Sequence, residues 1–194
     1  MMFHGLRHSL DASAPCGDAF LCWREGPLWT ICLVDGLGHG AEAALAAEAA
    51  LTEAARWKAL SPGDILSRVD DAIHGSRGAA MSVVRIDEAR RTLEHAGVGN
   101  IRVALFGDKT LRLDGRAGIV GNGFKPGAWP SLGWRDGDVL VLWSDGLDPY
   151  LKLDRLSLRL KGNPEALAER LIDQFSTRRD DSCIVCCLLG EALG

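Results

Sequence analysis

Apolar residues in this chain fall into short runs punctuated by glycine, proline and charged turns. The runs too short for a helix read as strands: Phe20 to Trp23, Trp29 to Val34, Ala80 to Asp87, Thr92 to Val98, Ile101 to Phe106, Leu111 to Leu113, Val139 to Trp143 and Cys183 to Leu189. Three sets of turn residues, Glu25-Gly26-Pro27, Glu88-Ala89-Arg90-Arg91 and Gly107-Asp108-Lys109-Thr110, are short enough to make antiparallel hairpins of the strands they join. Between the strands lie three helical stretches. The first runs from His39 to about Lys58 and holds nine alanines, the best helix formers, small enough to let a helix lie close on a sheet. Ser61 as cap with Pro62 behind it opens a second, to about His74, and Asn163 with Pro164 opens a third, to about Phe175. A Gly/Pro-rich loop from about Gly121 to Gly137 is long for a connection without structure of its own.

Three of the apolar strands carry an aspartate at one end. Asp35 and Asp145 follow the C-terminal ends of theirs, and Asp180 lies just before the N-terminal end of the last. In antiparallel neighbours the start of one strand lies beside the end of the next, so all three can meet at one rim. Asp18 joins them through its hairpin: with the turn centred between Gly26 and Pro27, Asp18 falls opposite Asp35. Carboxylates that close repel and cannot all stay ionised without a cation. Gly36, Gly38 and Gly40, spread around His39, let the backbone turn sharply and bring a carbonyl to the same point. Oxygen donors without a histidine or cysteine pair suit Mg²⁺ or Mn²⁺ better than zinc.

Composition narrows the classes. A chain of 194 residues, 47% hydrophobic, suffices for one well-cored domain, expected to span 1–194. A formal net charge of −4 gives no reason to expect nucleic acid or an anionic membrane as partner. Met1 to Leu10 lacks the apolar core of a signal peptide, and no run is long enough to span a bilayer. The six cysteines lie mostly in apolar strands, which reads as reduced, buried thiol in a cytoplasmic protein. Cys183 and Cys186 are three apart in a strand and so point to opposite faces, against a zinc or redox pair. The glycines after Val34 do not have nucleotide-loop spacing and no Walker lysine follows, so no nucleotide is expected.

Gly17-Asp18, the Asp35-Gly36-Leu37-Gly38-His39-Gly40 run, Ala96-Gly97-Val98-Gly99-Asn100-Ile101, Ser144-Asp145-Gly146 and Asp180-Asp181 follow in an order and spacing that resembles the type 2C metal-dependent protein phosphatases. The closer likeness is to the bacterial SpoIIE-like branch and its small, single-domain RsbX-like phosphatases of stressosome and partner-switching pathways. The resemblance implies an α+β fold, a four-layer αββα sandwich of two antiparallel sheets flanked by helices. It implies two Mn²⁺ or Mg²⁺ ions, with Asp35 bridging them, the Gly36 carbonyl on the first, Asp145 and Asp180 on the second, and Asp18 holding the first through water. Asp35, Asp145 and Asp180 are then the catalytic carboxylates, and water between the ions attacks phosphorus with no covalent phosphoenzyme. The implied activity is a phosphoserine/phosphothreonine protein phosphatase acting on a phosphorylated STAS-domain regulator, an anti-sigma antagonist or stressosome component. An alternative is a binding module that keeps the fold and has lost turnover.

His39 and Asp181 are read as supporting the ligand residues: His39 behind them, with a helix cap or a general acid for the leaving seryl oxygen as alternatives, and Asp181 by bonding backbone near Asp180. Lys125, Trp129, Trp134 and Arg135, on a loop that leads to the strand delivering Asp145, are read as facing the substrate near the rim, with packing of the two tryptophans under their own loop left open. Many eukaryotic members carry an arginine a few residues before the first acidic motif to hold the phosphate. Here that stretch is Ser13-Ala14-Pro15-Cys16, so the phosphate-holding residue stays unassigned.

Overall fold

The computed structural model describes residues 1–125, 127–129 and 131–191. Among the described residues ten strands form two five-stranded sheets, and these strands all pair antiparallel with their neighbours. One sheet has the order β2 (Asp18–Glu25), β3 (Leu28–Gly36), β4 (Ala79–Asp87), β5 (Thr92–Val98) and β8 (Ser131–Gly133). The other has the order β1 (Met2–His8), β10 (Ser182–Leu188), β9 (Val139–Trp143), β6 (Arg102–Phe106) and β7 (Thr110–Arg112). Helices α1 (Ala41–Arg56) and α2 (Pro62–Ala72) cover the first sheet; α4 (Pro164–Phe175), preceded by the short α3 (Arg155–Arg159), covers the second. This is the expected α+β sandwich of four layers.

Strand periodicity builds the three apolar cores between those layers. Neighbouring residues point to opposite faces. Val34 therefore packs with Ala47, Ala50 and Leu66 under the helices, while Leu33 packs with Leu142 and Val185 between the sheets. Val141 and Ile184, one step from Leu142 and Val185, join Leu167 and Leu171 of α4. The buried face of α1 consists of alanines alone, among them Ala43 and Ala47. Their small size lets the helix come so close to β3 that a Cβ on Gly36 would collide with the Ala43 carbonyl. Ser61 caps α2 by accepting from the Asp64 amide at 3.3 Å, and Asn163 caps α4 by accepting from the Ala166 amide at 3.2 Å, as the sequence predicts.

Three elements depart from expectation. Met2–His8 forms a full edge strand paired with β10, although its mixture of His, Arg and apolar residues gives no clear strand signal. The loop after Gly121 is not structureless: Ser131–Gly133 adds a strand to β5. Pro126 and Pro130, within that loop, lie outside the described residues, as do the last three residues. The loop's placement is also a correction. It enters β9 at Val139, the end of the strand remote from Asp145. At about 3.3 Å per residue the strand itself separates Arg135 from the rim by roughly 20 Å or more. The start of the loop is the part near the rim, since Val120 pairs with Ala79, which in turn pairs with Gly36.

The cysteines report on this packing. Cys183 and Cys187 lie between the sheets, Cys186 in the outer core, Cys32 under the helices; all four are fully buried, and Cys16 and Cys22 are partly so. Burial raises every one of the six thiols. A thiol reagent should therefore modify at most Cys16 and Cys22 in the native protein and all six after denaturation. Fast native labelling of Cys183 or Cys186, read by peptide mass, would contradict this layering.

Candidate metal centre

β2 and β3 are joined by a two-residue turn in which Gly26 takes φ 60°, and the resulting register sets Asp18 directly opposite Asp35. Gly36 continues β3 by one residue, and its amide donates to the Gly17 carbonyl at 3.1 Å. On the other sheet β9 and β10 pair Trp143 with Ile184, so the residues just beyond the pair, Asp145 after β9 and Asp180 before β10, emerge at the same end. The two pairs of carboxylates come from different sheets. One hydroxyl joins them: Ser144 donates to Asp18 Oδ2 at 2.5 Å and accepts from the Cys183 amide at 2.8 Å. Ser144 is fully buried and Asp18 nearly so.

The electrostatics follow from that crowding. Burial, with the charges of Asp18, Asp145 and Asp180, pushes Asp35 up to about 8. Burial also pushes Asp18 up to about 7; the Ser144 hydrogen bond opposes this, and the charges of Asp181, Asp145 and Asp180 add to it. Asp145 is raised by burial and by Asp180, while Asn100, donating to its Oδ2 at 2.7 Å, holds it down. Four carboxylates thus feel one another in a site with few donors to neutralise them, and this donor set suits a hard divalent cation. Among the described residues no three acidic, histidine or cysteine side chains close into a ready cage. That is compatible with Mg²⁺ or Mn²⁺, which are commonly held by one or two carboxylates while keeping several waters.

Asp181 supports this rim from behind. Its carboxylate accepts from the Gly17 amide at 2.5 Å and the Leu10 amide at 2.7 Å, so it fixes the chain leading into Asp18 rather than backbone near Asp180. Gly146 has to be glycine because a Cβ there would collide with the Asp181 carbonyl. His39 is exposed and does not cap α1, whose cap is Gly40 at φ 75° with no side-chain hydrogen bond. Of the residues expected to face substrate, Lys125 is exposed. The other three are corrected. Trp134 is 6% exposed in the core between the sheets, with its indole donating to the Thr92 carbonyl at 3.2 Å. Trp129 packs on the helical core near Gly63, with the Arg116 guanidinium 4.5 Å from its ring centre. Arg135 pairs with Asp108 at 2.8 Å, at the far end of the sheet. Apolar aromatics in a loop bury themselves where the loop crosses a sheet, whatever the loop leads to. Ser144 and Asn100 are the contributors that reading the sequence for ligands misses. Their signal lay in the short motifs around Asp145 and after Gly99.

The model of the family described as stage II sporulation protein E (SpoIIE) matches residues 26–190. The chain belongs to the SpoIIE family. The phosphoserine phosphatase RsbX of Bacillus subtilis (strain 168) is 28% identical over 177 residues, covering 88% of this chain and 86% of that protein. A chain solved in work on the bacterial stressosome as a modular system adapted to control secondary messenger signalling superposes with a TM-score of 0.88 at 24% identity, over 95% of this chain and 97% of its own. RsbX in complex with magnesium superposes at 0.82 and 22% identity, over 97% and 94%. At these identities the two structures speak for the fold. The SpoIIE-branch, RsbX-like protein phosphatase expected from the motifs is thereby borne out as the class of enzyme this chain represents.

The raised carboxyls predict how the metal-free protein responds to pH. A group whose pKa rises on folding stabilises fully below its ordinary value of 3.8, and that contribution is lost as pH climbs through about 7 for Asp18 and about 8 for Asp35. Asp35→Asn removes one of the repelling charges. In chelator, the variant should melt above wild type at pH 8.5, by about 2–4 °C for each kcal/mol relieved, and the gap should be clearly smaller at pH 5 and close only below the ordinary value of 3.8. A gap of the same size at both pH values would show that Asp35 is not charge-strained.

Proposed function

We propose that this chain is a divalent-metal-dependent phosphoserine/phosphothreonine phosphatase acting on a phosphorylated STAS-domain regulator in the cytoplasm, and that 1–194 works as one catalytic domain. The observation that carries it is the meeting of Asp18, Asp35, Asp145 and Asp180 at one rim, the first three raised by burial and by the charges around them, in a chain of this family. Asp35, Asp145 and Asp180 are assigned as the direct ligands with the Gly36 carbonyl, and Asp18 as a ligand through water. When bound, two Mn²⁺ or Mg²⁺ ions supply the acidity that makes water a nucleophile near neutral pH and the charge that stabilises in-line displacement at phosphorus.

The chain's own residues supply the rest. Ser144 keeps the Asp18 carboxylate turned toward the rim by donating to one oxygen, and Asn100 does the same for Asp145. The Asp181 anchor and the glycines at 36 and 146 hold the backbone at the distance the carboxylates need. The thiols take no part: Cys16, two residues before Asp18, is pushed up to about 11 by burial, and Cys183, three residues after Asp180, is fully buried and raised further. The stressosome and RsbX likenesses support a STAS-domain substrate, whose binding switch would be reset by removal of the phosphate's charge and acceptor oxygens. Six unpaired cysteines agree with a reducing compartment.

The test is hydrolysis of a phosphorylated STAS-domain protein and of a small aryl phosphate, with Mn²⁺ and with chelator. Asp35→Ala, Asp145→Ala and Asp180→Ala should each abolish turnover of both while remaining folded. Asn100→Ala, acting through a ligand, should cost roughly 10–100-fold. Wild-type turnover by Asp35→Ala would overturn the site assignment. Binding of the phosphoprotein without hydrolysis by wild type would favour a module that has lost catalysis, and turnover of the small ester alone would remove the STAS-domain substrate.

A further inference from the structure

Beside Asp180 the surface folds into a cavity of about 380 Å³, walled in part by His8 and Ser9 at the end of β1, Ser176 after α4, and Arg178, Asp180 and Ser182 ahead of β10. One of the four rim carboxylates is thus also part of the cavity's wall. The turn carrying Arg178 is anchored on the backbone that follows Asp145: the Thr177 amide and hydroxyl both donate to the Gly146 carbonyl, at 2.8 and 3.1 Å, and the Arg178 amide donates to Ser176 Oγ at 3.3 Å. Arg178 itself takes φ 55°, a left-handed conformation unfavourable for a residue with a side chain. The turn's hydrogen bonds hold it there.

Arg178 is exposed and, among the described residues, makes no ion pair. Arg77, the arginine that packs on the Gly38 turn at the other side of the rim, is already paired with Glu42. Two carboxylates, Asp173 and Asp180, share the cavity wall. Among the residues lining the cavity, Arg178 is the one arginine or lysine, so it is the permanent positive charge an anion would meet there. The guanidinium fork matches two oxygens of one phosphate. The volume exceeds that of a phosphate group and leaves room for the residue that carries it.

We propose that Arg178 holds the substrate's phosphate, and that this cavity receives the phosphorylated serine or threonine together with its adjoining backbone. The proposal rests on the reading of the rim as the catalytic centre and supplies the cation missing before Asp18. His8, exposed at the end of β1, adds a polar group to the same wall.

The experiment measures binding of inorganic phosphate to the full chain in Mn²⁺ by calorimetry, and its inhibition of aryl phosphate hydrolysis. Arg178→Ala should weaken phosphate binding and inhibition by roughly 10–100-fold and raise KM more than it lowers kcat. Arg178→Lys should recover part of the loss. Arg178→Gly keeps the falsification independent of folding, because glycine accepts φ 55° freely: it should melt no lower than wild type and still lose phosphate. Mn²⁺ uptake should be unchanged in all three. Wild-type phosphate affinity in Arg178→Gly, or loss of Mn²⁺ uptake by the same variant, would overturn the proposal. A wild-type chain that binds phosphate through Arg178 but hydrolyses no ester would leave the subsite standing and sink the catalytic reading instead.

Discussion

Four carboxylates have to be kept within reach of one another at the end of two sheets that pair no strand between them. Everything at the rim answers to that constraint. The hairpin register fixes one pair and the β9–β10 register fixes the other. The Ser144 hydroxyl, donating to Asp18 and accepting from Cys183, ties the first pair to the second sheet. Asp181 ties the second pair back to the chain before β2. The charges oppose this arrangement, and burial makes their opposition stronger because little solvent is present to screen it. A fold that holds repelling groups together in its cation-free form is already shaped for what neutralises them.

The same architecture explains why the reaction needs so little from the side chains beyond oxygen. Catalysis by ions at a rim asks for rigid supports, close backbone approach and an open face. Strand ends between packed cores supply the rigidity. Gly36 and Gly146 supply the close approach, each sitting where a Cβ would strike neighbouring backbone. The open face continues into the cavity beside Asp180, whose wall carries Arg178, the residue proposed to meet an incoming phosphate.

Much of this was legible in the chain because it is encoded locally. A two-residue turn fixes a hairpin, so Asp18 opposite Asp35 could be counted from Gly26 and Pro27. An apolar run ending in Asp-Gly placed Asp145, and the antiparallel rule placed Asp180 beside it. What escaped depended on contacts far apart in sequence. Met2–His8 is a strand only because β10 offers it an edge. Trp134 is core only because its loop crosses between the sheets, and adjacency to β9 says nothing about which end of β9 a loop approaches. Ser144 looked like part of a turn motif; its bond to Asp18 spans 126 residues of sequence. The proposed phosphate contact, Arg178, could not be read from the sequence because it lies near the opposite end of the chain from the stretch before Asp18 where the type 2C resemblance directs the search.

The central claim is that carboxyls raised by burial and mutual charge form one cation site. Its most direct test is the titration of metal-free protein with Mn²⁺ at pH 7, in buffers of different ionisation enthalpy, so that metal uptake and proton release are read together. With Asp18 raised to about 7 and Asp35 to about 8, Asp35 is mostly and Asp18 about half protonated at that pH, and binding should expel those protons. The account predicts saturable uptake with release of about one proton or more, falling away at pH 9 and in Asp35→Asn. No uptake, or uptake that releases no proton at pH 7 and persists in Asp35→Asn, would contradict it.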